Sequence, residues 1–501
     1  MSESKIYSAR TVFEGLKKTF HQYLEAQYHI WDEDLIAERR RLLDLPGVTF
    51  QEPQVEATPS YTIGKAYRQL NIPGPAQDIL TLAATRSNVG VYPEPYVHQA
   101  AALEAFLGRH EEIIVATGTG SGKTECFLMP ILGSLALESA QRPASWKVPG
   151  CRALLLYPMN ALVNDQLARL RRLLGDPEIA QGLKGNRNRR ATFGMYTSRT
   201  PYPGRASPEN DQRWIGALLE KQYQGLSAEA RARLEKEGKW PAKNIERFIQ
   251  SSFNTGPEDS ELFSRQEMQK VCPDLLITNY SMLEYMLLRP IERTIFEQTA
   301  QWLACNPENR FIIVLDETHM YRGSGGAEVA YLLRRLHSRL GVNRTRVRYI
   351  LTSASLGSSD EAHRKIKRFA ADLTGLDHSS HRFRLITGEI DKKPGECAAT
   401  PAEAHALAEY DFTTLHRIYE STTPAEETTR QLLTELHKPL PAGPLDEATF
   451  RYLIYDFLQS FGPAALAVNR ITARPRALND IAGMIFPNVR LKSNKFIIKP
   501  F

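Results

Sequence analysis

A glycine-rich segment between an apolar run and a helical pattern constrains the fold of this chain more than any other feature. Residues 116–124 read Ala-Thr-Gly-Thr-Gly-Ser-Gly-Lys-Thr and directly follow the apolar residues 113–115. Glycines let backbone N–H groups close around phosphate oxygens, and the N-terminus of the following helix adds a favourable dipole. In this context Lys123 would reach the β- and γ-phosphates of a nucleotide, and the Thr124 hydroxyl would bind Mg²⁺. The alternative interpretation is a tight turn, since Thr117 stands where the strict pattern has its first glycine.

A second string, Asp-Glu-Thr-His at residues 316–319, ends the apolar run 311–315. Ligands of open α/β sheets bind at the carboxyl ends of the strands, where these carboxylates would emerge. One carboxylate can hold a metal while the other polarises water, as nucleotide hydrolysis requires. An Asp-Glu pair alone could be a solvated turn, but the two strings in this order predict an ATPase that uses ATP and Mg²⁺.

Length and composition indicate a globular protein of several domains. The chain has 501 residues, 42% apolar and 24% charged, with a formal net charge of +6. This length suggests about two to four domains, and the small positive charge permits a nucleic-acid partner without requiring one. The five cysteines are widely spaced, which excludes a Cys-x-x-Cys motif and indicates reduced thiols. The polar start and the lack of a long apolar run predict a cytoplasmic protein with no membrane partner.

Short apolar runs alternate with helical patterns from about residue 90, which predicts an α/β fold with a parallel sheet. The predicted strands are 113–116, 153–157, 191–196, 274–278, 311–315 and 347–352. The predicted helices are 123–138, 160–174, 281–288, 326–340 and 361–374. After about residue 376 this alternation stops, and residues 402–486 are expected to be mainly helical.

The same pattern predicts three regions along the chain. Residues 1–89 are expected to be helical and extended, with a helical pattern over 9–45. Residues 90–375 would form the α/β domain, with an insertion at about 176–270. Residues 376–501 would form a mainly helical accessory region, for which a winged-helix-like module is one interpretation.

Three further strings follow predicted strands, at residues 157–162, 194–200 and 278–280. Their hydroxyls, amides and helix starts suit a phosphodiester backbone, because they donate hydrogen bonds without reading base sequence. Each string alone could be an ordinary capping turn, so their joint occurrence carries the prediction.

Two smaller signals flank the predicted sheet. Gln99, upstream of the first strand, could bond the N6/N7 edge of adenine, although alone it could be a surface glutamine at a helix start. Ser353 and Ser355 end the last strand, where their hydroxyls could link residues 316–319 to the nucleic-acid side. A simple serine cap is the alternative.

Taken in order, these strings resemble the motifs of the first RecA-like lobe of superfamily 2 DEAD/DEAH-type helicases. In the family's terms, Gln99 matches the adenine-reading glutamine and residues 116–124 match motif I. Residues 157–162 match motif Ia, residues 194–200 match motif Ib and residues 278–280 match motif Ic. Residues 316–319 match motif II, and residues 353–355 match motif III. Residues 115–127, 157–166 and 278–287 further resemble the large helicases of the bacterial antiphage systems DISARM and Druantia, which have MrfA-like repair helicases as relatives. The resemblance covers roughly residues 10–375 and implies a RecA-like sheet with helices on both faces.

The resemblance also implies a role for each matching residue. Lys123 and Thr124 would bind phosphate and Mg²⁺, and the cradle around the phosphates would comprise Thr117, Gly118, Thr119, Gly120, Ser121 and Gly122. Asp316 would hold Mg²⁺, and Glu317 would orient and deprotonate the attacking water. The residues implied to couple hydrolysis to strand movement are His319, Ser353 and Ser355. The residues implied to follow the nucleic-acid backbone are Asn160, Arg199, Asn279 and Tyr280.

The implied function is an ATP-dependent DNA helicase or translocase in phage defence. Its partners would be DNA and either other defence subunits or the remainder of a larger helicase. Two alternatives stay open, namely an ATP-gated DNA-binding scaffold with little turnover and an RNA helicase.

The sequence departs from the family pattern at three points. Thr318 replaces the alanine of the DEAH string and Ser355 replaces the threonine of the SAT string, and both changes are small. No Gln-x-x-Gly-Arg-x-x-Arg string of a second lobe follows residue 360. Without arginine fingers from such a lobe, hydrolysis could fall on the order of a thousandfold. We therefore expect either a fragment of a larger helicase or a half-motor that needs a partner.

Overall fold

The computed structural model describes most of the chain. The described residues are 9–409, except 46, 119, 185–188, 202–206, 322, 354–358 and 378–381, together with 430, 434, 452, 455–456 and 458–487. The chain divides into two compact units, one of residues 61–390 and one formed by the residues on either side of that range.

The described residues form helices and short strands that alternate over most of the larger unit. The strands are β1 (Gln54–Val55), β2 (Glu112–Ala116), β3 (Ala153–Tyr157), β4 (Phe193–Met195), β5 (Glu261–Leu262), β6 (Leu275–Asn279), β7 (Phe311–Leu315), β8 (Val347–Ser353), β9 (Phe383–Thr387) and β10 (Arg476–Ala477). The helices are α1 (Ala9–Gln27), α2 (Glu33–Leu43), α3 (Gly74–Ala84), α4 (Val97–Leu103), α5 (Glu125–Gln141), α6 (Pro143–Trp146), α7 (Asn160–Leu174), α8 (Pro177–Lys184), α9 (Pro208–Asp211), α10 (Ala217–Tyr223), α11 (Ala228–Lys236), α12 (Ile245–Gln250), α13 (Arg265–Lys270), α14 (Tyr280–Leu288), α15 (Arg293–Cys305), α16 (Gly323–Leu340), α17 (Asp360–Thr374), α18 (Pro401–Glu409), α19 (Gly462–Ala473) and α20 (Leu478–Ile485).

The larger unit is built on one parallel sheet with the strand order β5-β4-β6-β3-β7-β8-β2-β9. Strands β2, β3 and β7 are buried along their whole length, because parallel strands are covered by helices on both faces. One apolar layer includes Phe127 and Ile131 of α5, and the other includes Trp302 of α15 and Leu332 of α16. The predicted α/β class, with a parallel sheet that has helices on both faces, is confirmed.

The sheet contains two strands that the sequence analysis did not predict. β9 pairs in parallel with β2, with Ile114 opposite Leu385, so the expectation that the alternation stops after residue 376 was wrong. β9 is an edge strand in which buried and exposed positions are mixed, and it therefore lacks the continuous apolar run of a central strand. β5 pairs with β4 and lies inside the predicted insertion.

The compact unit extends beyond both ends of the predicted range 90–375. At its start, α3 packs against α5 through buried residues that include Ala76 and Leu80. At its end, β9 adds an edge strand to the sheet. The three-region division of the whole chain stays a prediction.

The smaller unit contains a two-stranded antiparallel sheet of β1 and β10. Val55 of β1 packs on an apolar cluster that includes Ala399, Ile481 and Ile485. The helical pattern predicted over 9–45 corresponds to α1 and α2, which are separate helices. Most of the predicted accessory region between 410 and 457 lies outside the described residues. Among the described residues, the structure contains no helix that is both long and apolar enough to cross a membrane.

Candidate active site

The predicted phosphate loop connects β2 to α5. Gly120 and Gly122 have φ of 76° and 74°, a left-handed conformation that glycine adopts without the steric cost of a side chain. Ser121 is buried between them, and its hydroxyl lies 2.6 Å from that of Thr117. Thr117, which departs from the strict pattern, therefore helps to hold the loop in shape. Thr119 lies outside the described residues.

The segment at the start of α4 holds the loop from outside. The Nε2–H of His98 donates to the carbonyl of Ser121 at 2.8 Å, and burial lowers the pKa of His98, which favours the neutral ring. Gln99 donates from Nε2 to the carbonyl of Gly122 at 3.2 Å, and its Oε1 accepts from the N–H of Tyr96 at 2.9 Å. The side chain predicted to bind adenine therefore ties α4 to the phosphate loop, and its adenine contact stays a prediction.

Tyr61 is a loop contact that the sequence analysis missed. Its hydroxyl bonds with Gly118 and Ser121, while burial raises its pKa. A Cβ on Gly388 would lie 2.4 Å from the Tyr61 ring, so that position requires a glycine. Nothing in the sequence pairs Tyr61 with the loop, because the two are more than 50 positions apart along the chain.

The Asp-Glu pair lies at the carboxyl end of β7, and Thr352 of β8 holds it there. The Thr352 hydroxyl donates to Asp316 Oδ1 and accepts from the N–H of Glu317, the latter at 3.2 Å. Glu317 has φ 49° and ψ 48°, which is uncommon for a residue with a side chain. The hydroxyl of Thr318 donates to the carbonyl of Thr352 at 2.8 Å. The departure from alanine at 318 therefore adds a hydrogen bond between β7 and β8.

Thr352 is a residue of the candidate site that the sequence analysis missed, although the sequence carries a signal for it. It immediately precedes the Ser-Ala-Ser string, and its hydroxyl directly follows the apolar residues Ile350 and Leu351. Because threonine is common in strands, the pattern alone assigns it only to the strand. Its side chain is fully buried, and a buried hydroxyl needs a partner.

The phosphate loop and the Asp-Glu pair meet at one edge of the sheet. Lys123 Nζ lies 3.5 Å from Glu317 Oε1, although the two residues are 194 positions apart. His319 Nδ1 lies 3.2 Å from Glu317 Oε2. On the other side of the loop, Gln166 Nε2 donates to the Thr124 hydroxyl at 3.5 Å. β8 lies between β7 and β2 in the sheet, so Thr352 stands between the two halves of the site.

The electrostatics of the site suit a divalent cation. Burial raises the pKa of Asp316, and the neighbouring Glu317 raises it further, whereas Thr352 and Lys123 oppose this shift. A cation beside Asp316 would favour its ionised form. Mg²⁺ prefers oxygen ligands and is usually bound by one or two protein groups together with substrate phosphates. Thr124 and Asp316 supply such oxygens, and the described residues contain no cluster of three or more potential metal ligands.

Of the residues predicted to follow nucleic acid, two are in direct contact. Asn279 Nδ2 donates to Asn160 Oδ1 at 2.6 Å, and Asn279 Oδ1 caps α14 by accepting from the N–H of Met282 at 2.7 Å. Arg199 and Tyr280 are exposed beyond β4 and β6. These four assignments stay predictions.

The structure describes only one of the two serines that are predicted to couple hydrolysis to strand movement. Ser353 is buried, and its hydroxyl has no hydrogen-bond partner among the described residues. Ser355 lies outside the described residues. The coupling role of both serines stays a prediction.

Part of the chain is similar to a known protein family. Residues 96–197, from the start of α4 to the end of β4, match the DEAD/DEAH box helicase family. The predicted resemblance to the DEAD/DEAH-type helicases is confirmed over this range.

Among individual proteins, the chain is 46% identical over 505 residues to Druantia protein DruE of Escherichia coli (strain UMEA 4076-1), an alignment covering 95% of this chain and 27% of DruE. The ATP-dependent helicase YprA of Bacillus subtilis (strain 168) is 24% identical over 54% of this chain and 24% of its own length. The chain thus spans about a quarter of the length of these relatives. A crystal structure of the helicase MrfA bound to DNA and AMPPNP aligns with 89% of this chain and 53% of its own, at 17% identity and a TM-score of 0.39. The predicted resemblance to the Druantia helicases is confirmed.

Proposed function

We propose that this chain forms the first motor lobe of an ATP-dependent DNA helicase or translocase that acts in bacterial antiphage defence in the cytoplasm. The observation that carries the proposal is the 3.5 Å approach of Lys123 to Glu317, which joins a phosphate loop and an Asp-Glu pair in one site. The role in defence is supported by the identity with DruE, which is named as a Druantia protein.

The geometry suggests how the site would respond to ATP. Lys123 Nζ is paired with the Glu317 carboxylate. The γ-phosphate would attract the Lys123 ammonium and leave the Glu317 carboxylate available to orient and deprotonate water. Mg²⁺, held by Thr124 and Asp316, would neutralise charge that develops on the phosphates. The left-handed backbone at Glu317, bonded to Thr352, would keep that carboxylate aimed at the γ-phosphate.

Efficient hydrolysis by this lobe would need arginine side chains from another lobe or subunit. In related phosphoryl-transfer sites an arginine finger raises turnover by roughly 10³ to 10⁵. We propose that the remainder of a larger helicase, or another defence subunit, supplies these arginines. The Asn160–Asn279 contact joins the ends of β3 and β6, and it would form part of the nucleic-acid track.

Binding of single-stranded DNA to the full chain tests the proposal. We expect a labelled oligodeoxynucleotide to bind in the presence of AMP-PNP, as measured by fluorescence anisotropy, and Arg199→Ala to weaken it. Removing one cation that neutralises a phosphate should reduce the salt slope by about 0.7 for a single strand. Arg364→Ala removes an exposed arginine of α17 and serves as the control, which should bind like the unmodified chain. Preferential displacement of the DNA by an RNA of the same sequence would instead favour an RNA helicase.

A further inference from the structure

A cavity of about 420 Å³ lies at the edge of the sheet opposite the phosphate loop. It is lined by residues at or just before the amino ends of four strands, including Glu112 of β2, Arg152 before β3, Arg310 before β7 and Arg382 before β9. Nucleotides in such sheets bind at the carboxyl ends of the strands. The cavity is therefore separate from the candidate active site.

Helix α5 separates the two places. It begins directly after Thr124 and runs for 17 residues to Gln141, a length of about 25 Å. Ile131, Leu135 and Glu138 of this helix line the cavity, and Arg142 follows its last residue. One helix thus connects the phosphate loop to the wall of the cavity.

The acidic side chains of this cavity are mostly paired already. Glu138 binds Arg152 at 3.0 Å, and Glu112 binds Arg344 at 2.5 Å. Glu308 is the remaining acidic residue of the lining, and it is exposed. The paired carboxylates are therefore not available to neutralise the other arginines.

Four other arginines line the cavity, and these paired carboxylates do not neutralise their charge. Arg142 and Arg382 form no ion pair with any described residue. Arg310 donates to the carbonyls of Pro307 and Asn309, and Arg348 donates to those of Phe106 and Glu111. Against these four positive charges the lining offers one unpaired carboxylate, that of Glu308.

The arginines also repel one another. Burial lowers the pKa of Arg348, Glu112 opposes this shift, and with the added effect of the charges of Arg310 and Arg382 the pKa falls to about 10. The Nε atoms of Arg142 and Arg348 are buried without a partner among the described residues. Buried donors without partners and crowded like charges both cost free energy, and an anion in the cavity would relieve both costs.

We propose that this cavity is a second ligand site, which binds a small phosphate-bearing molecule. Guanidinium groups match the geometry of phosphate and can bond it in bidentate fashion. The excess of positive charge favours a polyanion over a monocarboxylate. Leu107, Ile131 and Leu135 give the cavity an apolar wall, which suits the organic part of such a molecule, and the volume falls in the range of ligand sites.

Pyrophosphate binding to the full chain, measured by isothermal titration calorimetry, tests this proposal. The titration uses the Lys123→Ala protein, so that the phosphate loop does not contribute. We expect one saturable site. Arg142→Gln together with Arg382→Gln should weaken binding by about tenfold or more for each guanidinium removed. Neither arginine has an ion pair with a described residue to lose, and a thermal denaturation midpoint equal to that of the parent will establish that the double variant is folded.

Two exposed arginines of α17 supply the control for net charge. Arg364→Gln with Arg368→Gln removes the same charge elsewhere on the unit, and this pair should leave pyrophosphate binding unchanged. The proposal is overturned by an absence of saturable binding, or by equal weakening in the two double variants. Displacement of pyrophosphate by a single-stranded oligodeoxynucleotide would also overturn it, because the ligand would then be a nucleic-acid backbone.

Discussion

Thr352→Val tests whether the hydroxyl of Thr352 supports the candidate active site, because the substitution removes this hydroxyl and leaves the packing of β8 nearly unchanged. Valine has nearly the same shape as threonine but lacks the hydroxyl that donates to Asp316 and accepts from the N–H of Glu317. A hydrogen bond to a charged group contributes about 1.5–3 kcal/mol, and one to a neutral group about 1 kcal/mol. We therefore expect the free energy of unfolding to fall by about 2.5–4 kcal/mol, as measured by urea denaturation.

The substitution should also change how Asp316 titrates. Burial already raises its pKa, and the Thr352 hydrogen bond opposes that rise, so its loss raises the pKa further. Because the folded protein then holds the Asp316 proton at a pH where the unfolded chain has lost it, stability should fall as the pH increases from the ordinary value of an aspartate to this raised value. The protonated carboxyl cannot bind Mg²⁺. As the pH is lowered, Thr352→Val should therefore lose its affinity for Mg·ATP at a higher pH than the parent does.

The assay is binding of a fluorescent ATP analogue, with and without Mg²⁺, across this pH range. We expect the Mg²⁺-dependent gain in affinity to fall about tenfold at neutral pH, which corresponds to about 1.4 kcal/mol. Thr352→Ser is the matched control, because it retains the hydroxyl and should retain the Mg²⁺ dependence. Equal Mg²⁺ dependence in the valine variant and the parent would refute the role of this hydroxyl.

Three further substitutions test other parts of the structure. Arg152→Met should lower the free energy of unfolding by about 3–5 kcal/mol, because it leaves the buried Glu138 carboxylate without its ion pair; a decrease below about 1 kcal/mol in chemical denaturation would contradict this. Gln99→Ala releases Gly122, and it should weaken ATP binding about tenfold in a fluorescence titration, as the removal of about one hydrogen bond predicts, whereas unchanged affinity would rule out this support. Asn279→Ala removes the cap of α14 and should lower the free energy of unfolding by about 1 kcal/mol, as measured by thermal denaturation. An unchanged denaturation midpoint would contradict a stabilising role for this cap.

The central strands could be predicted because their sequences are continuous apolar runs. β2, β3 and β7 are buried on both faces, and their predicted bounds agree with the structure to within a residue. β9 could not be predicted in the same way, since Arg384 is exposed at the sheet edge. The predicted start of α16, at 326 rather than at Gly323, is late because the first turn of this helix is rich in glycine, which disfavours helix.

The candidate site was predictable where spacing along the chain carries the chemistry. Gly120, Gly122 and Lys123 form a local pattern, and their loop geometry follows from the sequence around them. The contacts of Tyr61 and Thr352 depend on which strands become neighbours in the sheet. A single sequence does not contain that information, so these two supporting residues were found only in the structure.

The central claim is that Lys123, Asp316 and Glu317 form one site that hydrolyses ATP. The most direct test is steady-state ATP hydrolysis by the full chain, with and without single-stranded DNA, beside Glu317→Gln. The control is Glu284→Gln on α14, an exposed acid outside the site. Because the arginines are proposed to come from elsewhere, we expect slow hydrolysis that Glu317→Gln abolishes while ATP still binds, and that the control retains. Hydrolysis that persists unchanged in Glu317→Gln would contradict the account.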